Sequence, residues 1–163
     1  MITIRRAKPE DRDAIWFIIG PIIRAGETYT YDADWLKDDA LAYWMGDDKH
    51  TFVAEENGQI LGTYYLRTNQ MGGGRHVCNC GYMTGEAARG RGLARAMCEH
   101  SMKVAPELGY KAMQFNFVVS ANEVAVGLWK RLGFDIVGTL PKAFNHPRLG
   151  LVDAYVMYQW LGD

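Results

Sequence analysis

The segment Arg-Gly-Arg-Gly at residues 89–92 limits the folds open to this chain more than any other feature. It follows an apolar run at residues 76–83 that predicts a buried strand, and it precedes a helical pattern over residues 92–110. Glycine costs a helix about 0.5–1 kcal/mol relative to alanine, so two glycines at a helix start indicate a backbone that approaches a ligand closely. A strand, a glycine turn and a helix in this order predict a layered fold of strands and helices.

The same turn has the groups that hold an anion. The first amides of a helix lack intrahelical acceptors, and the aligned peptide dipoles add partial positive charge there. Arg89, Arg91 and Arg95 add guanidinium groups, which pair with phosphate oxygens. A P-loop would need a Lys-Ser/Thr pair, and a Rossmann turn would need glycine where Arg95 stands, so neither fits. A solvated turn with glycine caps stays open as the alternative.

Composition limits the class of protein. The 163 residues suffice for one domain with its own core, and we expect a single domain over residues 1–163. A formal net charge of −1 does not favour nucleic acid or an anionic membrane as partner. No apolar run reaches the roughly 18 residues of a membrane span. Three cysteines, with no signal peptide ahead of the first strand, predict a reduced cytoplasmic setting.

Cys78 and Cys80 lie on one face of the predicted strand 76–83. They are either part of the core or half of a metal site. No second Cys/His pair at zinc spacing accompanies them, so core packing is favoured and no metal is expected.

Hydrophobic periodicity predicts the element order β-α-α-β-β-β-α-β-α-β-β, an α/β fold in which a mixed central sheet has helices on both faces. The predicted strands cover residues 1–7, a hairpin at 50–68, 76–83, 111–119, 135–140 and 152–161. The predicted helices cover residues 8–26, 33–46, 92–110 and 122–134.

Several local features refine this pattern. Asn57-Gly58 is the strongest short-range signal for a hairpin turn. Pro21 is expected to kink or interrupt the first helix. Residues 141–151 are expected to form a loop between the last two strands. The buried stripe of the third helix is expected to consist of Leu93, Met97, Val104 and Leu108.

Two segments resemble motifs of the GNAT superfamily of N-acetyltransferases. In ARGRGLA, Arg89, Gly92 and Ala94 match the motif Gln/Arg-x-x-Gly-x-Gly/Ala. About thirty residues later, NEVAVGLWKRLGF is similar to the motif Asn-x-x-Ala…Leu-Tyr-x-x-x-Gly-Phe through Asn122, Ala125, Leu128, Gly133 and Phe134. The predicted element order is also the GNAT order. The resemblance therefore covers nearly the whole chain and implies one GNAT N-acetyltransferase domain.

The resemblance implies acetyl-CoA as co-substrate, bound in a V-shaped cleft where the fourth and fifth strands splay apart. The turn amides would hold the diphosphate, the edge of the fourth strand would pair with the pantetheine arm, and an N–H near Met83 would polarise the thioester carbonyl. Asn122 would contact the pantetheine or act as an N-cap, and both roles can coexist. The implied CoA-binding residues are Tyr82, Met83, Thr84, Arg89, Gly90, Arg91, Gly92, Leu93, Ala94, Arg95, Asn122 and Trp129.

Two positions depart from the family pattern. Trp129 stands where many relatives carry a tyrosine that protonates the leaving thiolate; Tyr155 or Tyr158 would substitute, or would pack in the core. Asn116 stands where many relatives carry glutamate, and it would either satisfy a backbone group or point into the acceptor cleft and orient the amine or a water. The candidate catalytic residues are therefore Asn116, Glu27 and Tyr155.

The resemblance places the acceptor between the loop after the first helix and the loop between the last two strands. Glu27 is the candidate to bind an ammonium or act as base, although a plain surface carboxylate is equally open. The other candidate substrate-binding residues are Tyr29, Tyr31, Asn116, Phe144 and His146. This compact aromatic set favours a small amine or amino acid over a protein amine. The C-terminal segments resemble acetyltransferases for proline analogues and phosphinothricin.

Three questions stay open at this level. A protein N-terminal or lysine acetyltransferase is one alternative to a small-molecule enzyme. A non-catalytic acyl-CoA-binding module is another, because the family's tyrosine and glutamate are missing. A homodimer is common in the superfamily and is the partner that we expect.

Overall fold

The computed structural model describes residues 1–162 and contains one seven-stranded mixed sheet, in the order β1-β2-β3-β4-β5-β7-β6. The strands are β1 Thr3–Arg6, β2 Lys49–Glu56, β3 Gln59–Thr68, β4 Val77–Thr84, β5 Ala112–Val119, β6 Asp135–His146 and β7 Gly150–Trp160. The helices are α1 Arg12–Ala25, α2 Lys37–Trp44, α3 Leu93–Glu107 and α4 Glu123–Arg131. The predicted element order is therefore confirmed. Within residues 1–162, every helix is too short or too polar to cross a membrane.

The hairpin turn between β2 and β3 lies where the sequence predicts it. Asn57 and Gly58 have φ angles of 52° and 80°, as the primed hairpin turns require. Glu56 and Gln59 pair across this turn, and the pairing extends to Lys49 and Arg67 with a shift of register between Ala54 and Glu55.

Helices cover both faces of the sheet, as predicted. On one face, α1 and α2 bury Ile15, Ile19 and Trp44 against Tyr65 and Met83. On the other face, α3 and α4 bury a second core whose members include Tyr64, Cys78, Cys80, Leu93, Met97, Phe115 and Trp129. All three cysteines are buried and free, so Cys78 and Cys80 belong to the core, as expected.

Three details differ from the prediction. Helix α1 continues through Pro21; this residue and Phe17 lie on the exposed side of the helix, where water can bond the carbonyl that loses its donor. The expected loop 141–151 is mostly strand, because β6 is an edge strand that tolerates Pro141. Leu108 follows α3 and is 37% exposed, so it does not extend the buried stripe.

The central sheet opens between β4 and β5. These parallel strands pair only at Val77 with Ala112 and at Cys78 with Met113. Beyond these pairs, β4 is bonded to β3 as far as Thr84, while β5 is bonded to β7 and its register shifts between Phe115 and Val118. The two strands therefore diverge, and the splayed arrangement that the resemblance implies is present.

A charged network attaches β1 to the start of α1. Arg5 donates to both carboxylate oxygens of Asp11, at 2.8 and 3.1 Å, and also to Glu55 on β2. The amide of Lys8 donates to Asp11 at 2.7 Å. The hydrogen bonds from Arg5 hold the pKa of the buried Asp11 below its ordinary value.

We expect Asp11→Ala to lower the free energy of unfolding by about 1–3 kcal/mol at pH 7, because Arg5 and the Lys8 amide lose a charged acceptor. Urea denaturation measures the change. The matched control is Asp13→Ala, which removes an exposed carboxylate paired with Lys37 and should change little.

The difference between wild type and Asp11→Ala should also depend on pH. A lowered carboxyl pKa stabilises the fold above its unfolded-state value of about 3.9, and the stabilisation disappears as the pH falls through the folded-state pKa. The two proteins should therefore converge in stability in acid. A difference that persists unchanged below pH 3 would contradict this role.

Candidate functional site

The divergence of β4 and β5 opens a cleft with a volume of about 1430 Å³. Sites for one small ligand are typically about 300–1,000 Å³, so this cleft has room for two molecules. It extends from the glycine turn before α3 to the loop between α1 and α2.

One end of the cleft is the N-terminus of α3. Gly90 and Gly92 have φ angles of 77° and 78°, a backbone region that other residues adopt only with strain. The first helical bond runs from the Ala96 amide to the Gly92 carbonyl, so the amides of residues 93–95 have no intrahelical acceptor. These donors and the helix dipole make this end suitable for a phosphate group.

The three arginines of the turn do not converge. Arg89 and Arg95 line the cleft, and Arg95 also bonds Glu99 at 3.0 Å. Arg91 instead pairs with Glu56 at the end of β2 and is not among the cleft-lining residues. The contribution of Arg91 to an anion site stays a prediction, and in this structure a carboxylate outside the cleft holds its guanidinium.

The free edge of β4 forms one wall of the cleft. The amide of Tyr82 donates to the Tyr29 hydroxyl at 3.1 Å, and that hydroxyl donates in turn to the Tyr82 carbonyl. The Gly85 amide donates to Leu61 on β3. Because backbone groups alternate along a strand, the Met83 amide also points to β3. The cleft-facing donor next to Met83 is therefore the Tyr82 amide, and its role in polarising a thioester carbonyl stays a prediction.

Residues of the second motif form the wall opposite β4. Asn122 lines the cleft, and its Oδ1 caps α4 by accepting from the Ala125 amide at 3.4 Å. Trp129 is 8% exposed and packs against Tyr82 and Phe115, with ring centroids 5.3 and 5.1 Å apart. The indole therefore forms part of the cleft wall and of the core together.

The other end of the cleft is aromatic. Tyr29 stacks on Tyr31 and Tyr31 on Trp35, with centroid distances of 5.5 and 5.2 Å. The Tyr31 hydroxyl lies 3.4 Å from that of Tyr65. Burial of its hydroxyl raises the pKa of Tyr29 to about 12, so this phenol keeps its proton at neutral pH.

Tyr65 reaches this end because residue 81 is glycine. A Cβ at Gly81 would lie 2.7 Å from the Tyr65 ring, so the ring can lie across β4 at this position only because glycine has no side chain. Tyr65 was not predicted as a site residue, and neither were Tyr43, Arg67 and Asn79, which also line the cleft. A glycine inside a strand, which marks close approach, was the available signal.

Asn116 lies in the cleft wall but is exposed rather than buried. Its amide donates to Asn69 at 2.7 Å, and its oxygen accepts from Gln114 at 2.9 Å. Both polar atoms of this side chain therefore have hydrogen-bond partners, and the amide is not an unsatisfied buried group.

Glu27 connects the two walls expected to surround an acceptor. Its carboxylate accepts from Arg148 at 3.1 Å, so the loop after α1 contacts the turn between β6 and β7. Glu27 also lines the cleft, and both partners are substantially exposed.

Three predicted site residues lie outside the cleft. His146 is 5% exposed, and its Nδ1 accepts from the amides of Arg148 and Leu149, so the ring supports the β6–β7 turn. Phe144 is buried beside it. Tyr155 packs against the core on the α3 and α4 side of the sheet. Packing and turn contacts determine all three positions, and the substrate and catalytic roles expected for these residues stay predictions.

Comparison with known proteins agrees with this geometry. Residues 16–134 match the profile described as the Acetyltransferase (GNAT) family. The N-acetyltransferase aca1 of Schizosaccharomyces pombe is 26% identical over 170 residues, which cover 94% of this chain and 81% of aca1. The provisionally named phosphinothricin acetyltransferase YwnH of Bacillus subtilis is 25% identical, over 86% of this chain and 88% of YwnH.

A solved structure is more similar still. A GCN5-related N-acetyltransferase from Kribbella flavida is 40% identical, covers 98% of this chain and 97% of its own, and superposes with a TM-score of 0.93.

The glycine turn yields a prediction that needs no ligand. Gly92→Ala should lower the free energy of unfolding by about 1–2 kcal/mol, because alanine is strained at a φ of 78°. The control is Gly127→Ala inside α4, where only the mobile end of Arg131 is near; this change should stabilise by about 0.5–1 kcal/mol. Urea denaturation of both variants tests the claim, and equal effects would contradict it.

Proposed function

This chain belongs to the GNAT family of N-acetyltransferases, and we propose that it transfers an acetyl group from acetyl-CoA directly to the amine of a small molecule, an amino acid or an analogue of one. The observation that carries the proposal is a single cleft whose two ends differ in chemistry. Free amides and guanidinium groups line one end, and a compact aromatic wall lines the other. Such a cleft suits a diphosphate at the first end and a small acceptor at the second.

The cofactor end supports acetyl-CoA as the donor. The amides of residues 93–95, together with Arg89, are placed to hold the diphosphate. The free edge of β4 between Tyr82 and Thr84 offers backbone groups to an extended pantetheine arm. The Tyr82 N–H would stabilise the oxyanion that forms when the amine attacks the thioester carbonyl. For this, the Tyr29 hydroxyl, which accepts from the Tyr82 N–H, would first have to move away.

In the reaction, a nitrogen–carbon bond forms, the carbon–sulfur bond breaks, the amine loses a proton and CoA leaves as a thiolate. An amine with a pKa near 10 is neutral in only about one molecule per thousand at pH 7, so a base is useful. Among the described residues, Glu27 is the carboxylate at the acceptor end of the cleft wall, and we assign proton removal to it. Asn116, with its exposed amide, would orient the amine or a water.

The leaving group needs no strong acid. Thiols have a pKa near 8.5, so a thiolate leaves readily and then takes a proton from solvent. Trp129 would act through packing, since an indole is not a proton donor of useful acidity. The Tyr29 phenol, which keeps its proton at neutral pH, would donate a hydrogen bond to the sulfur after it has moved from Tyr82.

The proposal is tested by incubating the protein with acetyl-CoA and a panel of free amino acids, simple amines and peptides. Thiol release and the mass of the product report the reaction. Acetylated small amines would support the proposal, and exclusive acetylation of peptides would indicate a protein acceptor. Tight CoA binding with no acetylated product would indicate a non-catalytic module. Homodimer formation and a cytoplasmic location stay predictions from the sequence.

The two neighbouring arginines provide a matched test of the diphosphate site. Arg89→Ala should weaken CoA binding about tenfold, because a charge-assisted bond to phosphate is worth roughly 1.5–3 kcal/mol and this side chain is exposed. Arg91→Ala should change affinity little, because Glu56 holds its guanidinium outside the cleft. Isothermal titration calorimetry measures both, and the reverse order of effects would refute the placement.

A further inference from the structure

The acceptor end of the cleft contains a cation that has no ion-pair partner within residues 1–162. Arg67 lies near the end of β3 and lines the cleft. It pairs across the strands with Asn79 of β4. Because Tyr65 and Arg67 are two residues apart on β3, their side chains lie on the same face of the sheet, the face that α1 and α2 cover. Among residues 1–162 Arg67 has no carboxylate within ion-pair distance, and its closest polar contact is the Tyr43 hydroxyl at 3.5 Å.

A second cation lies directly opposite. Lys49 of β2 pairs in register with Arg67, and its side chain is only 2% exposed. The Lys49 ammonium lies 3.8 Å from the centre of the Tyr43 ring and bonds the carboxylate of Asp48 at 3.1 Å. Like charges directly opposite each other destabilise a sheet. Lys49 is paired with Asp48 and Glu27 with Arg148, whereas Arg67 has no counter-ion among the described residues, so its guanidinium is an uncompensated charge on this part of the cleft wall.

The arrangement suits an anionic group of a ligand in the cleft. A guanidinium presents a planar fork of donors that matches a carboxylate. The strand rise puts Asn79, opposite Arg67, about 10 Å along β4 from Tyr82, where the thioester carbonyl is proposed to lie. An arginine side chain and the amine-to-carboxylate span of a small amino acid together cover such a distance. The phosphate groups of CoA lie at the opposite end of the cleft in this assignment.

We infer that Arg67 binds the carboxylate of the acceptor and thereby selects α-amino acids over amines that lack a carboxylate. The inference rests on the proposed function and gives the acceptor class in more detail. The aromatic wall of Tyr31, Tyr43 and Tyr65 then faces the rest of the acceptor, which favours apolar or aromatic side chains. Arg67 is thus a specificity-determining residue, while the acetyl transfer itself takes place at the amine.

The test compares acceptors that differ only in the carboxylate. Wild type, Arg67→Met and Arg67→Lys are assayed with the standard L-amino acids, their primary amides and, for phenylalanine, phenethylamine. Because these amines differ in pKa, the measured quantity is the ratio of kcat/KM between acid and amide within each protein. The control is Arg75→Met, which removes an exposed arginine that does not line the cleft.

Arg67→Met should lower this ratio by about 10–100-fold, as expected for a charge-assisted bond. Arg67→Lys should recover part of it, because the charge returns without the fork. Arg75→Met should leave it unchanged, and the KM for acetyl-CoA should stay within about twofold in every variant. Urea denaturation checks that the variants remain folded.

The outcomes separate two kinds of failure. If wild type acetylates amides and phenethylamine as well as the acids, or if Arg67→Met changes all acceptors equally, the inference is overturned and the acetyltransferase function stands. If wild type releases no thiol with any acceptor, the proposed function fails, and the inference fails with it.

Discussion

The interrupted pairing of β4 and β5 is the constraint on which the rest of this structure depends. Two ladder pairs join these strands, and beyond them the backbone groups on the cleft side of β4 have no strand partner. Unpaired donors and acceptors at a buried edge are costly, so they require another partner. At Tyr82 the Tyr29 hydroxyl serves as that partner. The edge is therefore suited to accept an extended ligand in place of a strand.

Different groups carry the positive charge at the two ends of the cleft. Arg89 and the free amides of α3 make one end positive, and Arg67, which has no ion-pair partner among the described residues, adds positive charge at the other end. Neutral aromatic and backbone groups lie between them. Because the chain as a whole has a net charge of −1, both positive ends are local features. The proposed donor, acetyl-CoA, and the proposed acceptor, an α-amino acid, each carry negative charge at the end away from the reacting groups. The two positive ends of the cleft would match these charges.

The sequence predicted the element order and the glycine turn because both depend on local patterns: hydrophobic periodicity, the Asn57-Gly58 dipeptide and glycines at a helix start. It could not show that Arg91 turns to Glu56, a partner 35 residues away. The position of His146 could not be predicted either, because its buried ring supports a turn in a segment that was predicted to be a loop. Tyr65 and Arg67 lie in a strand whose residue pattern does not differ from that of a strand in an ordinary core. They reach the cleft only because they pair with Gly81 and Asn79 of β4.

The Tyr29 hydroxyl has a consequence for the kinetics of the enzyme. It occupies the N–H and the C=O of Tyr82 together, so a bound thioester cannot use the strand edge until this phenol withdraws. The Tyr29 ring stacks on Tyr31, which belongs to the aromatic end of the cleft. In the proposed reaction, binding of the thioester at Tyr82 would displace the Tyr29 phenol and, through the stacked ring of Tyr31, would change the wall that faces the amine. This favours a compulsory order of addition, in which the nucleotide thioester enters before the amine and departs, as the free thiol, after the amide.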